Sequence, residues 1–170
     1  MMKNFFAKFP ALVVATWLAL PVCADSTLDT AITLFEQQND TAAYPLFVQE
    51  KGAVSLMYQA RIMADKDLDK AEELIEQALE LEPDNAQIEF SKGQIMAKQA
   101  SNAFFSALSY AGKSLASLQR ATQLQPNNTE YLMGLMTFYL EAPGIAGGDQ
   151  DKARETLEQI KQLDAEQGAL

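Results

Sequence analysis

At 170 residues, with 48% hydrophobic side chains and a formal net charge of −10, the chain has the size of one domain and enough apolar surface for a continuous core. That balance excludes an intrinsically disordered chain, and having no histidine and a single cysteine excludes the usual zinc, copper and haem ligand sets, so no metal and no cofactor is expected. Gly and Pro are scarce, at 8 and 6, while Ala, Leu, Glu and Gln, which lose little rotamer freedom in a helix, are abundant; the expected class is all-α.

Residues 1–24 read as a secretory signal peptide. Lys3 and Lys8 give a positive start, Ala11 to Leu20 form an apolar run broken only by Thr16, and Val22 and Ala24 suit a cleavage site before Asp25. The run from Ala11 to Leu20 falls well short of the roughly 20 apolar residues that span a bilayer. The expected location is therefore the periplasm or the exterior. Leu20-Pro21-Val22-Cys23 is similar to a lipobox, which implies acylation of Cys23 as the alternative, although Val22 departs from the small residue that pattern wants before the cysteine. Beyond residue 24 stand all 23 acidic residues and only 11 of the 13 basic ones, a net charge of −12. Such a charge repels nucleic acid and anionic lipid surfaces, so neither is an expected partner, and no membrane insertion of the mature chain is expected.

About eight helices follow, over 28–39, 41–51, 53–65, 67–82, 85–100, 102–125, 129–141 and 149–164. Residues 25–52 form a capping pair: Asn39-Asp40-Thr41 offers a turn with N-cap chemistry and Lys51-Gly52 the next stop. From 53 to 170 the chain repeats itself. Lys70 to Asn85 aligns with Lys113 to Asn128, with Lys, Ala, Leu, Pro and Asn recurring at 70/113, 78/121, 81/124, 83/126 and 85/128. A weaker copy runs from Lys152-Ala153 through Leu157, Ile160 and Leu163. In the first copy Ala71, Leu74, Ile75, Ala78 and Leu81 make one apolar stripe, Asp67 and Asp69 favour the helix start, and Pro83 ends it before Asp84-Asn85 open the next helix.

These residues resemble the tetratricopeptide (TPR) family, whose helix pairs of about 34 residues touch through small residues and exit at proline. The resemblance covers roughly residues 53–165 and rests on Ala71, Ala78, Pro83, Gly93, Ala121, Pro126 and Ala153, with Tyr139 where the family favours an aromatic. It implies a right-handed solenoid of antiparallel helix pairs. Two departures stand out. Pro83 and Pro126 are 43 residues apart, and Glu89 and Lys92 take places that are usually apolar. The nine extra residues are expected at the start of the sixth helix, where Phe104, Leu108, Ala111, Leu115, Leu118 and Thr122 continue a buried stripe and lengthen the helix to about 36 Å.

Ala142-Pro143-Gly144-Ile145-Ala146-Gly147-Gly148-Asp149 could suggest a phosphate cradle, but Asp149 stands where a P-loop needs Lys and Ser or Thr. A tight connection capped by Asp149 is the expectation, and the loop is similar to one in a group of secreted bacterial TPR proteins. The resemblance also implies that first helices of pairs line the ligand groove. It places Phe90, Gln94, Lys98, Glu130, Met133 and Thr137 there, while Phe105 and Tyr110 fall off the sixth-helix stripe and are candidate partner contacts. Met57, Met63, Met96, Met133 and Met136 all lie on such first helices, where methionine serves adaptable binding or fills core gaps.

No nucleophile–base pair can be assembled without His, Cys or a G-x-S-x-G serine, and the glutamate runs are expected to be solvated helix faces, so catalysis is not expected. Asp65-Lys66-Asp67-Leu68-Asp69 lacks the glycine and closing Glu of a calcium loop. What remains is an adaptor that binds a peptide or an envelope protein in its groove. The alternatives are a small-molecule carrier serving an uptake system, with a closed aromatic-lined cavity, and a lipid-anchored assembly component.

Overall fold

The structure, a computed structural model, describes residues 26–168; the signal-peptide and Cys23 assignments lie outside the described residues. Among the described residues there are eight α-helices and no strand: α1 Thr27–Glu36, α2 Asp40–Gln49, α3 Ala53–Met63, α4 Leu68–Leu81, α5 Ala86–Asn102, α6 Ala107–Leu124, α7 Thr129–Glu141 and α8 Gln150–Gly168. A single 3-10 turn at Gly144–Ala146 separates the last two.

The helix starts follow from cap chemistry. Ser26 and Asp29 close a capping box on α1, Asn39 caps α2 and Asp67 caps α4. Asn85 and Asn128, equivalent positions in the two sequence copies, each take two backbone N–H groups, at 3.0 and 3.2 Å and at 3.0 and 3.3 Å. Pro83 and Pro126 sit in the exposed turns just ahead of them.

Short connections make neighbouring helices antiparallel, and the chain stacks as four hairpins, α1–α2, α3–α4, α5–α6 and α7–α8. Each second helix also packs on the next hairpin, and α3 touches α5 as α5 touches α7. The fold is an all-α helical repeat. Ala71, Ala78, Ala121 and Ala153 are buried where helices meet, since only a methyl group fits between backbones held that close. The core divides into two clusters that share α5: Ile88, Ile95 and Met96 join the N-terminal one, Ala86 and Phe90 the C-terminal one.

Two expectations about the helices need correction. α5 runs on to Asn102 and α6 begins at Ala107, so the extra residues lengthen both helices of the hairpin, and Phe104 lies on the connection at 89% exposure instead of on a buried stripe. The reason is geometric. Gly93 faces Ser114 and Leu118 across the hairpin, and an antiparallel pair must turn midway between facing residues, at 103–106. Leu81 is 59% exposed, because the stripe of α4 ends one turn earlier at Ala78.

Candidate functional site

Gly93 fixes the α5–α6 hairpin. A Cβ there would stand 2.7 Å from the Leu118 side chain, and the Ser114 hydroxyl donates to the Gly93 carbonyl at 2.8 Å. That close approach holds the two helices against each other at the middle of the hairpin. Against it lie two open clefts, which meet at Gln94 of α5.

The first cleft, of about 610 Å³, opens between the end of α1, the end of α3 and α5. Arg61 is its most informative residue. The guanidinium lies 4.8 Å from the Phe35 ring centre and 5.4 Å from that of Tyr58, and among the described residues no carboxylate forms an ion pair with it. Both rings lie within cation–π distance of the guanidinium, and Glu36, Asp40 and Asp65 line the same cleft without forming an ion pair with it. Lys98 is different: its ammonium reaches across the cleft to Asp65. Gln94 is exposed on the same wall.

The candidate contacts from the sequence divide. Gln94 and Lys98 come together in this cleft, Gln94 and Thr137 both line the second one, and Glu130 and Met133 are exposed on α7 outside either lining, Met133 at 53%. Phe90 is not a groove residue. It is 5% exposed, with its ring 4.7 Å from that of Tyr131, and a side chain at Gly134 would collide with it. Its stripe position turns it toward α7, where apolar burial outweighs exposure in the groove. Tyr110 is corrected too: it is half-buried against the N-terminal cluster, with the Lys113 ammonium 5.1 Å from its ring centre. Phe105 does stand free, at 96% exposure. Of the methionines, Met57 and Met96 are fully buried core, and Met63 and Met136 are half-buried.

Burial raises the Tyr131 hydroxyl above its ordinary value, the neighbouring Glu130 charge adds to that, and Arg61 pulls the other way. Sequence reasoning missed this arginine, although Tyr58 and Arg61 stand three residues apart on one helix, a spacing that lets ring and guanidinium meet.

The loop after α7 is a connection. Gly147 takes φ +100°, the Gly148 N–H donates to the Pro143 carbonyl at 3.1 Å, and the Asp149 N–H to the Tyr139 carbonyl at 2.9 Å. The Asp149 carboxylate accepts from the N–H groups of Asp151 and Lys152, chiefly the latter, and they hold its carboxyl below the usual range. The donors that a phosphate would need are already occupied by the protein's own cap.

Among the described residues no group of acidic side chains is placed to hold a metal ion, and no helix is long and apolar enough to cross a membrane.

No family model matches the chain, and no curated protein matches it. Among solved structures it is similar to human IFIT1, solved as a dimer with PPP-AAAA, at 17% identity and a TM-score of 0.66, over 79% of this chain and 31% of that one. The chain thus spans less than a third of that protein's length. A second similarity, to the MamA RS-1 ArsTM double mutant, has 15% identity and a TM-score of 0.40 over 85% of this chain and 96% of that one, too low to carry an argument. The first likeness, to a TPR-containing helical-repeat protein, shows that the chain has a TPR-like, all-α repeat fold.

Proposed function

We propose that the chain is an exported adaptor of the bacterial envelope that holds an extended peptide or an envelope protein against its first helices and carries no catalytic centre. One observation carries this reading: an open cleft of about 610 Å³, lined also by Glu36, Asp40 and Asp65, presents the guanidinium of Arg61 beside two aromatic rings and outside any ion pair among the described residues. A stacked, half-buried arginine is the kind of anchor that dominates interface energetics. The partner it suits presents a carboxylate beside main-chain groups that Gln94 can bond.

Both clefts are open to solvent, and the apolar one has Phe138 as its single aromatic lining residue. Those features favour an adaptor over a carrier, for which a closed aromatic cavity is expected. The net charge of −12 beyond residue 24 keeps nucleic acid out of the reading. Export rests on the leader pattern of residues 1–24.

Photo-crosslinking in intact cells tests the groove. A crosslinker at Lys98 or Met133 is expected to trap one discrete partner that Arg61→Ala abolishes, while crosslinkers at the exposed Glu80 and Gln123 of the second helices trap none. Equal capture from all four sites would sink the groove assignment. Mass spectrometry of the mature N-terminus separates export forms: a start at Asp25 supports the periplasmic reading, and a diacylglyceryl Cys23 replaces it with the lipid-anchored one.

A further inference from the structure

The second cleft, of about 690 Å³, adjoins the first at Gln94 and lies between α5, α6 and α7, helices of unequal length. α5 has 17 residues and α6 has 18, but α7, which packs against them, has 13. At 1.5 Å per residue the hairpin outreaches α7 by about 6 Å, roughly one turn. The uncovered stretch is walled by Ala97 and Ala100 of α5, Leu108 and Ala111 of α6, Phe138 of α7 and Pro143 beyond it. Alanine on three positions of the wall leaves room where larger side chains would have closed the gap.

Exposed apolar side chains also flank the lining residues in sequence. Phe104 and Phe105 stand at the hairpin tip, packed edge to face at 4.8 Å, and Ile145 is 83% exposed between Pro143 and Ala146, which both line the cleft. Large apolar side chains gathered round a cleft and left in water mark an interaction surface. Its electrostatics are one-sided. Glu141 is the single charged residue of the lining, and among the described residues it has no ion-pair partner. The nearest lysines on the two helices are engaged elsewhere, Lys98 with Asp65 and Lys113 with Glu72.

We propose that this cleft is a second docking site, distinct from the Arg61 groove, for an apolar peptide segment that carries a lysine or arginine. Apolar side chains enter against Leu108 and the alanine-lined wall, and the cation meets Glu141. A second copy of this chain fits less well. The segment 101–112 that would insert holds no charged residue, so a copy's phenylalanines would fill the cleft and leave Glu141 unanswered, between two chains of net charge −12.

The test uses residues 25–170 and three fluorescein-labelled peptides of about 12 residues, long enough to form three helical turns. One alternates leucine faces with lysine, one replaces each lysine by glutamate, and one keeps lysine but replaces each leucine by serine. The leucine–lysine peptide is expected to bind saturably at one per chain, and the other two at least about tenfold more weakly. Glu141→Lys should reverse the preference toward the glutamate peptide, and Phe105→Ser should weaken binding about tenfold, each with an unchanged melting temperature because both side chains are exposed. Arg61→Ala should leave this binding intact, which separates it from the groove. Equal binding of the lysine and glutamate peptides overturns the proposal. So does loss of binding in Arg61→Ala, which assigns the peptide to the first cleft. A dimer in sedimentation that Phe105→Ser dissolves makes a second copy the occupant instead. Uptake of Nile red that no peptide displaces makes it a small-molecule pocket.

Discussion

Two hairpins built on one sequence pattern are held together in different ways. In α4 the four buried positions are Ala71, Leu74, Ile75 and Ala78; in α6 the equivalent positions are Ser114, Ser117, Leu118 and Ala121. The α3–α4 pair thus packs through apolar volume. The α5–α6 pair, by far the more extensive interface, packs through close approach: Gly93 admits Leu118, and the buried Ser114 hydroxyl finds its acceptor on the Gly93 carbonyl. Small residues permit contact over a longer hairpin, and the extra length is what opens a cleft above α7. The third copy shows the limit of the pattern. Ala153 and Ile160 of α8 are buried, with Thr156 beside them, but Leu157 is 37% exposed, because among the described residues no further hairpin covers it.

The shared alanines give the largest expected effects. Ala78→Glu and Ala121→Glu each force an unpaired carboxylate between helices at a position with no exposure, and each should cost more than about 4 kcal/mol, enough to unfold a domain of ordinary stability. Chemical denaturation followed by circular dichroism measures this. If Ala121→Glu melted cooperatively near the wild-type midpoint while Ala78→Glu did not, the two hairpins would not share a register.

These alanines were legible in the sequence because a 43-residue repeat of small residue, apolar stripe, proline and asparagine states the helix faces and stops directly. The caps were legible as well, since Asn85, Asn128 and Asp149 precede their helices with the chemistry that caps require. What the sequence concealed was the position of the reversal between α5 and α6. Residues 103–106 hold neither glycine nor proline, and Phe104 continues a helical stripe on paper. The turn is set by Gly93 meeting Ser114 and Leu118, a contact between helices that no local signal carries. Burial of Phe90 was hidden for the same reason, because a groove and a neighbouring helix lie on adjacent faces of α5.

Phe90 provides the next largest effect, and it tests which cluster α5 serves. Phe90→Ala should lose about 3–5 kcal/mol through the cavity it leaves against Tyr131 and Gly134. A variant that keeps its stability while losing a partner would return Phe90 to the groove.

A smaller effect is expected where the last hairpin begins. Asp149→Ala removes the α8 cap and should lower the melting temperature by less than Phe90→Ala does. The Asp149 carboxyl sits below its ordinary value, so its contribution is present above the unfolded value of about 3.9 and is lost as pH falls through the lower folded one. Asp149→Asn should keep much of the cap and flatten that acid limb in a pH series of melts. An acid limb unchanged in Asp149→Asn would place the titration elsewhere.

The smallest effect joins the two hairpins directly. Lys113 of α6 reaches Glu72 of α4 at 2.6 Å, and its ammonium also lies near the Tyr110 ring, so Lys113→Ala alone mixes two losses. A double-mutant cycle with Glu72→Ala isolates the ion pair, for which a coupling of about 0.2–1 kcal/mol is expected, since both side chains keep contact with water. The hydrogen bond that the Lys113 ammonium donates to Glu72 raises its value above the ordinary lysine range, outweighing the opposing effect of partial burial. The coupling should therefore be complete below about pH 10.4, the unfolded lysine value, and fade as pH rises through the higher folded one. Screening gives an independent handle, because a surface pair should weaken between about 0.1 and 1 M salt, as the Debye length falls from about 10 to 3 Å. A coupling above about 2 kcal/mol that ignores salt would mean that the hairpins are joined by a desolvated pair, and that the close approach at Gly93 is a consequence of that pair and not the cause of the packing.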